Sequence, residues 1–280
     1  MKHPAEMIIH QYLDKASKGQ TTVATSTVNQ ICKDVREAVV RQFGGGNKRD
    51  GFAFRMSNVG RPSCQLWFEK NKPQEALPKP TTFIMNMMLG DIVEAVFKGI
   101  LKEAGVEYED SRRVTLDTGE RVVTGEYDIV IDGAVDDVKS ASDWSYRNKF
   151  ESFDTLKSGD AFGYVSQLAG YARASGKKAG GWWVVNKKDG NFKYVPADNI
   201  DVEEEVSKIK SNIKEVESGE FKRCFDPVEE TFRGKPTGNK ILPITCMFCS
   251  YRKSCHPSLK EMPSKVSKAR DPKIVGYVNA

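Results

Sequence analysis

Residues 125–142 read GEYDIVIDGAVDDVKSAS, five acidic side chains and one lysine in a segment otherwise made of strand-forming residues. Asp132-Gly133 is a two-residue hairpin signal between strands expected at 121–131 and 134–141. With that turn, Ile131 faces Ala134, Val130 faces Val135 and Asp128 faces Asp137. Side chains two apart on a strand share a face, so Lys139 lies beside Asp137, and Glu126 falls opposite Lys139. Like charges directly across a ladder destabilise it unless something positive sits between them, and a separation of roughly 5 Å suits a bridging divalent cation. An exposed acidic edge is the simpler reading. Against it stand Tyr127, Ile129, Ile131 and Val138 on the other face and Val130 and Val135 beside the acids, a pattern of burial.

Outward from the hairpin the chain reads as α/β. Helices are expected at 5–19 and 26–43, the second with Ser26 as N-cap, with Val28, Ile31, Val35 and Val39 on its inner face, and with Gly44-Gly45-Gly46 as its stop. The GGGNKRDG that follows reads as a mobile loop. A long helix at 82–104 ends at Gly105, with Met87, Gly90, Phe97 and Leu101 inward and Glu94 at the edge of that stripe. An inward glutamate needs a partner, a salt bridge or a metal. Further strands are expected at 106–116, 181–186 and 192–195, and helices at 160–174 and 201–217. Asp201 and Glu204 stand in capping-box spacing, and Val202, Val206, Ile209, Ile213 and Val216 form one stripe. Gln167 and Tyr171 lie one turn apart on one helix face.

The 280 residues are 39% apolar and 29% charged, which describes a folded globular chain, and the longest apolar runs are too short for a membrane span. No uninterrupted apolar core marks a secretory signal, so an intracellular, cytoplasmic protein is expected. Residues 221–280 carry 12 Lys and Arg against 5 Asp and Glu, a net +7, which leaves −2 of the total +5 for the first 220 residues. A basic quarter beside an acidic body fits a polyanion held next to a carboxylate site; a solvated basic tail is the bland alternative.

The ordered set GEYDIVIDG, DDVKSAS and QLAGY, with LGDIVEAVF upstream, resembles the RecB-like branch of the PD-(D/E)xK nucleases, over about residues 53–256. The resemblance implies a restriction-endonuclease-like core, a mixed central sheet flanked by helices. It implies one nuclease domain over 1–280, with a helical N-terminal segment at 1–80, the catalytic core at 81–200 and a C-terminal segment at 201–280. Carried over, it makes Glu94, Asp128 and Asp137 ligands of Mg²⁺ or Mn²⁺ with the Val138 carbonyl as a fourth, Lys139 the catalytic lysine, and Gln167 and Tyr171 accessory residues beside DNA. Many relatives have histidine where Glu94 stands; a carboxylate keeps the site oxygen-rich and suited to hard cations. Such cations neutralise a phosphodiester and activate water, while Lys139 orients or deprotonates that water or stabilises the developing charge. No Ser/His/Asp triad is expected, since His3, His10 and His256 lie near the chain ends.

CMFCSYRKSC places Cys246, Cys249 and Cys255 close enough to share one centre, and spacing alone leaves zinc and an iron–sulfur cluster equally open. Resemblance to the cluster-bearing relatives, such as AddB-type, CRISPR-associated and phage nucleases, implies a 4Fe-4S cluster whose fourth ligand is Cys64 of FRMSNVGRPSCQLWFEK, although the usual Cys-Pro-Arg order is not kept. A cluster spanning residues 64 to 246 would be a structural staple between helical N- and C-terminal segments; a redox or sensing role is the lesser alternative. Cys32 and Cys224 are expected to be ordinary buried thiols. Lys222, Arg223, Arg233, Lys235, Lys240, Arg252 and Lys253 suit phosphate contacts, and Trp144, Tyr146, Phe150 and Phe153 either stack on unpaired bases or pack as core. The expectation is an exonuclease on DNA ends or single strands, serving recombination, repair or phage DNA metabolism with a recombination or repair protein as partner. A flap endonuclease and a non-catalytic DNA-binding module are the rivals.

Overall fold

In the computed structural model, which describes residues 3–44 and 51–278, the Asp132-Gly133 turn closes the expected hairpin: both residues have positive φ (50° and 75°), and Ile131 pairs with Ala134 and Val130 with Val135. In chain order the helices are α1 (Pro4–Ser17), α2 (Thr25–Phe43), α3 (Ser63–Asn71), α4 (Thr82–Glu103), α5 (Phe153–Ser158), α6 (Tyr164–Ser175), α7 (Val202–Glu217), α8 (Ile244–Met247) and α9 (Arg252–Cys255). The strands are β1 (Arg112–Asp117), β2 (Val122–Tyr127), β3 (Ile129–Ile131), β4 (Ala134–Ala141), β5 (Lys178–Asn186), β6 (Phe192–Pro196), β7 (Val228–Phe232), β8 (Lys235–Ile241), β9 (Leu259–Pro263) and β10 (Ile274–Val278). The chain divides into two compact units, residues 1–60 with 80–211 and residues 61–79 with 212–280.

The first unit is built on a mixed sheet in the order β3-β4-β5-β6, with β4 and β5 parallel and the outer pairs antiparallel. Parallel neighbours need a crossover, and the segment through α5 and α6 supplies it, with α6 lying against β4 and β5. On one face, Ile129, Ile131, Val138, Trp183 and Tyr194 pack with Ala5 and Ile9 of α1 and Phe97 and Leu101 of α4. The same face explains Asp136, which is 1% exposed: it accepts hydrogen bonds from the Gly181 N–H (2.8 Å), the Trp183 indole (3.2 Å) and the Tyr194 hydroxyl (2.8 Å). Burial pushes its carboxyl up to about 7 in spite of those donors. At the start of α6, Gly163 (φ 76°) meets Gly60 so closely that a Cβ there would lie 2.4 Å from the Gly60 backbone. The two glycines allow the FRMSNVGRPSC segment to cross the helix end.

Several sequence expectations change here. α2 starts at Thr25 with Ala24 as N-cap in place of Ser26, and Thr27 and Ala38 are buried while Val28 and Val39 are exposed. α2 packs closely on α4, where Ile31 and Thr27 occupy the space that a side chain at Gly99 would fill, so Thr27 is buried at this contact. On α4, Met88 is buried and Met87 exposed. The expected strand at 121–131 breaks at Asp128, and β2 leaves the hairpin to pair with β1, so exposed Glu126 faces Arg113 rather than Lys139. The mobile loop read at GGGNKRDG lies largely outside the described residues.

The second unit, read as a helix, a cysteine cluster and a basic tail, contains an antiparallel sheet in the order β7-β8-β10-β9. Leu242, Cys246 and Val278 form one of its apolar clusters, and Phe68, Tyr251 and Cys255 another. The Phe68 and Tyr251 rings stack at 5.3 Å. Among the described residues no helix is long and apolar enough to cross a membrane.

Asp136→Asn places an amide N–H₂ against one of three donors. It is expected to lower unfolding free energy by about 1–3 kcal/mol in urea titrations, whereas Asp132→Asn in the exposed turn stays within about 0.5 kcal/mol. Equal effects would remove Asp136 as the polar anchor of the sheet.

Candidate carboxylate site and cysteine cluster

The sheet's register brings Asp137 and Lys139 to the face of β4 opposite Asp136 and Val138, because successive strand side chains alternate. β3 begins at Ile129, opposite Asp136, so from Asp137 onward β4 has no partner on that side. Asp128 sits in this gap. Its Oδ2 accepts a 2.7 Å hydrogen bond from the Val138 N–H, which closes the otherwise open edge. Val138 was expected to contribute its carbonyl to a metal; the contact observed is its N–H orienting Asp128.

Lys139 Nζ lies 2.5 Å from Asp137 Oδ2, an oxygen that is buried and lacks an aligned hydrogen bond. The two carboxylates interact directly. Burial first, and then Asp137, push the Asp128 carboxyl up to about 7; burial also raises Asp137, against the pull of Lys139. Burial opposes the ammonium of Lys139, but Asp137 and Asp128 outweigh it and hold the group above the ordinary lysine range. Two acids and one lysine in a desolvated pocket leave one negative charge in excess, which a proton or a cation must offset.

Glu94 comes from α4, which meets β4 where Gly90 packs near Ser140 Oγ. Its carboxylate is held by Lys98 at 2.9 Å, and Lys98 also reaches Asp110 at 3.3 Å. Burial and then Asp128 raise the Glu94 carboxyl. Glu94 thus shares the field of the pair while bonded to its own lysine. Among the described residues, no three His, Cys, Asp or Glu side chains stand as a metal-holding group. Asp128 and Asp137 nonetheless suit a hard cation by their donor chemistry, by the excess charge and by the unaligned Asp137 oxygen.

From α6, the Gln167 amide donates to the Tyr171 hydroxyl at 3.2 Å, and Tyr171 is buried against Tyr127, its phenol raised by burial. Tyr164, at i−3 from Gln167, was missed although that spacing marked it: Lys139 Nζ lies 5.1 Å and Lys149 Nζ 4.4 Å from its ring centre. Phe150 and Phe153 are core residues, so base stacking is closed to them, whereas Trp144 is 66% exposed.

In the second unit, Cys246 and Cys255 are buried and Cys249 half-buried. Burial pushes Cys246 and Cys249 up to about 11, and each feels Cys255. Cys32 and Cys224 are exposed, contrary to expectation. Cys32 lies on α2, whose buried residues are the small Thr27 and Ala38. Cys224 is drawn to the start of α3: its sulfur accepts the Cys64 backbone N–H at 3.1 Å and lies 3.3 Å from Ser63 Oγ. Bonding to Cys64 lowers Cys224 to about 6 and raises Cys64. Arg223 donates to the Cys255 carbonyl, and Arg252 and Lys253 pair with Glu261, so part of the basic set is engaged internally. Lys222, Arg233, Lys235 and Lys240 are exposed.

Lys139→Met leaves the buried carboxylates uncompensated and is expected to cost about 3–5 kcal/mol of stability at pH 8. Adding Asp137→Asn should recover most of that loss. The penalty shrinks as pH falls, because Asp128, whose carboxyl rises further once Lys139 no longer lowers it, takes up a proton. Additive losses in the double variant would show that the three groups do not act as a unit.

No model of a known protein family matches the chain, and no curated protein matches it. A solved structure described as the crystal structure of SSO0001 is similar to it at 13% identity, covering 81% of this chain and 95% of that one with a TM-score of 0.41, a likeness too low to carry an argument about fold or function.

Proposed function

We propose that this chain is a metal-dependent deoxyribonuclease with a restriction-endonuclease-like core, hydrolysing phosphodiester bonds from DNA ends or in single strands. The observation that carries the reading is the Asp128–Asp137–Lys139 constellation at the open edge of a mixed sheet, with Asp137 buried and Asp128 and Lys139 half-buried. Its excess negative charge asks for a cation, and its lysine supplies a fixed positive charge beside it. Asp128 and Asp137 would hold Mg²⁺ or Mn²⁺, joined by Glu94 once it leaves Lys98. When bound, the cation supplies charge neutralisation at the phosphate and acidification of water.

The remaining steps belong to the chain. The Val138 N–H fixes the orientation of Asp128. Lys139, held as an ammonium by its two neighbours, orients the attacking water and stabilises charge that grows on the phosphate oxygens. Gln167, half-buried, would contact a phosphate oxygen next to the scissile bond, with its amide oriented by the hydroxyl of buried Tyr171. Exposed Lys222, Arg233, Lys235 and Lys240 would add affinity for the DNA backbone without sequence preference. Recombination, repair or phage DNA metabolism is the setting this chemistry suits.

For the second unit we propose a structural 4Fe-4S cluster on Cys64, Cys246, Cys249 and Cys255, with zinc as the alternative. The support is that Cys255 stands within electrostatic reach of Cys64, Cys246 and Cys249 in one compact unit, although among the described residues no three of these thiols are close enough to form a metal-holding group as they stand. Burial pushes the Cys246, Cys249 and Cys255 thiols up and the bond to Cys224 does the same for Cys64, so binding a metal as thiolates would release protons.

End-labelled single- and double-stranded DNA should be shortened with Mg²⁺ or Mn²⁺, and chelator should stop the reaction. Asp137→Ala should lower kcat/KM by at least about 10³-fold. Loss of a closed circle as well would assign an endonuclease, and binding without cleavage a DNA-holding module. Anaerobically purified protein should be brown with about four iron atoms per cluster; colourless protein with bound zinc would replace the cluster and leave the nuclease reading in place.

A further inference from the structure

The carboxylate site leaves one cluster of reactive side chains unused, at the start of α3. Ser63, Cys64 and Cys224 meet there, from segments 160 residues apart. Cys224 is exposed and Cys64 half-buried, so a small oxidant can reach the pair, while Cys246 and Cys255 are buried. The Cys224 sulfur is held by the Cys64 N–H and by Ser63 Oγ, and the two thiols interact. The Cys224 sulfur thus lies 3.1 Å from the backbone nitrogen of the cysteine with which it would form a disulfide.

We propose that Cys64 and Cys224 are a dithiol oxidation site, converted by a peroxide to a disulfide that takes Cys64 away from the other cysteines. The Cys224 sulfur attacks one peroxide oxygen, the O–O bond breaks, and water and a Cys224 sulfenic acid result. The Cys64 sulfur then attacks the sulfenic sulfur, the S–O bond breaks, the S–S bond forms and a second water leaves. Two electrons pass from the two sulfurs to one peroxide, and each thiol gives up its proton. Cys224, the exposed member of the pair, is the sulfur that a peroxide meets first.

Two consequences follow within the second unit. The disulfide joins its two segments, residues 61–79 and 212–280, by a covalent link. It also competes with metal for Cys64, a consequence that rests on the cysteine-cluster reading above.

The test uses full-length metal-free protein carrying Cys32→Ser, treated with hydrogen peroxide, blocked with iodoacetamide and digested without reductant. A cross-linked peptide pair containing Cys64 and Cys224 is expected, with two of the five remaining thiols lost and both restored by dithiothreitol. Adding Cys224→Ser should abolish the cross-link and leave Cys64 open to alkylation. Cross-links confined to Cys246, Cys249 and Cys255, or over-oxidised Cys224 with Cys64 still free, would overturn the proposal. Zinc uptake by the reduced and the cross-linked protein separates the two readings. A cross-link that lowers zinc uptake several-fold supports the competition, whereas unchanged uptake removes Cys64 from the ligand set and overturns that part. A reduced protein that binds neither zinc nor iron overturns the cluster and the competition while the cross-link stands.

Discussion

Two carboxylates brought together, Asp137 buried and Asp128 half-buried, cannot both keep their charge without help, and this constraint organises the first unit. The help comes from Lys139 on the same strand and from the Val138 N–H at the strand's open edge. Both sources require β4 to be central on one side and unpaired on the other. That in turn requires β3 to stop at Ile129 and β2 to turn away toward β1. The break at Asp128 is therefore what makes a site out of a hairpin: an uninterrupted β2-β3 strand would offer backbone groups to β4 and leave the carboxylate elsewhere.

Period-two alternation then sorts neighbouring acids into different roles. Asp136 and Asp137 are adjacent, both nearly inaccessible and both raised by burial, yet they serve opposite faces. Asp136 receives three donors and gains a closed hydrogen-bond shell; Asp137 has one lysine and an oxygen without an aligned donor. A saturated carboxylate anchors. An undersaturated one remains available to a ligand. Charge and burial alone would not tell the two apart; the number of donors pointed at each does.

The hairpin was legible because its information is local: a two-residue turn fixes a register, and the register fixes which side chains meet. The same holds for α7, where Val206, Ile209, Ile213 and Val216 are buried as their spacing required. Positions decided by long-range packing were less legible. α2 presented an apolar stripe, but Gly99 on α4 makes room for Thr27 beside Ile31, a choice that no window within α2 contains. Glycine, proline and lysine interrupt β8 and β9 and masked this sheet, although β10 (IVGYV) is rich in strand formers and Arg233-Gly234, both at positive φ, close β7 and β8 as a local hairpin like that at Asp132-Gly133; only the β8-β10 pairing is long-range. Glu94 fell between these cases. Its inward placement followed from helical spacing, but its bond to Lys98, at i+4, equally followed, and the nearer partner is the one it holds.

Cys224 shows why spacing arguments undercount a cluster. Three cysteines within ten residues announce themselves, whereas a partner in a separate stretch has no spacing to read; only resemblance pointed to Cys64, and nothing pointed to Cys224. Once α3 is folded, its first turn presents the Cys64 N–H and the Ser63 hydroxyl in one direction, and an acceptor is required there because early helical N–H groups lack intrahelical partners. Cys224 meets that need as a cap. A helix terminus that must find an acceptor and a sulfur that serves as one thus place Cys224 against Cys64, through backbone satisfaction rather than through metal chemistry.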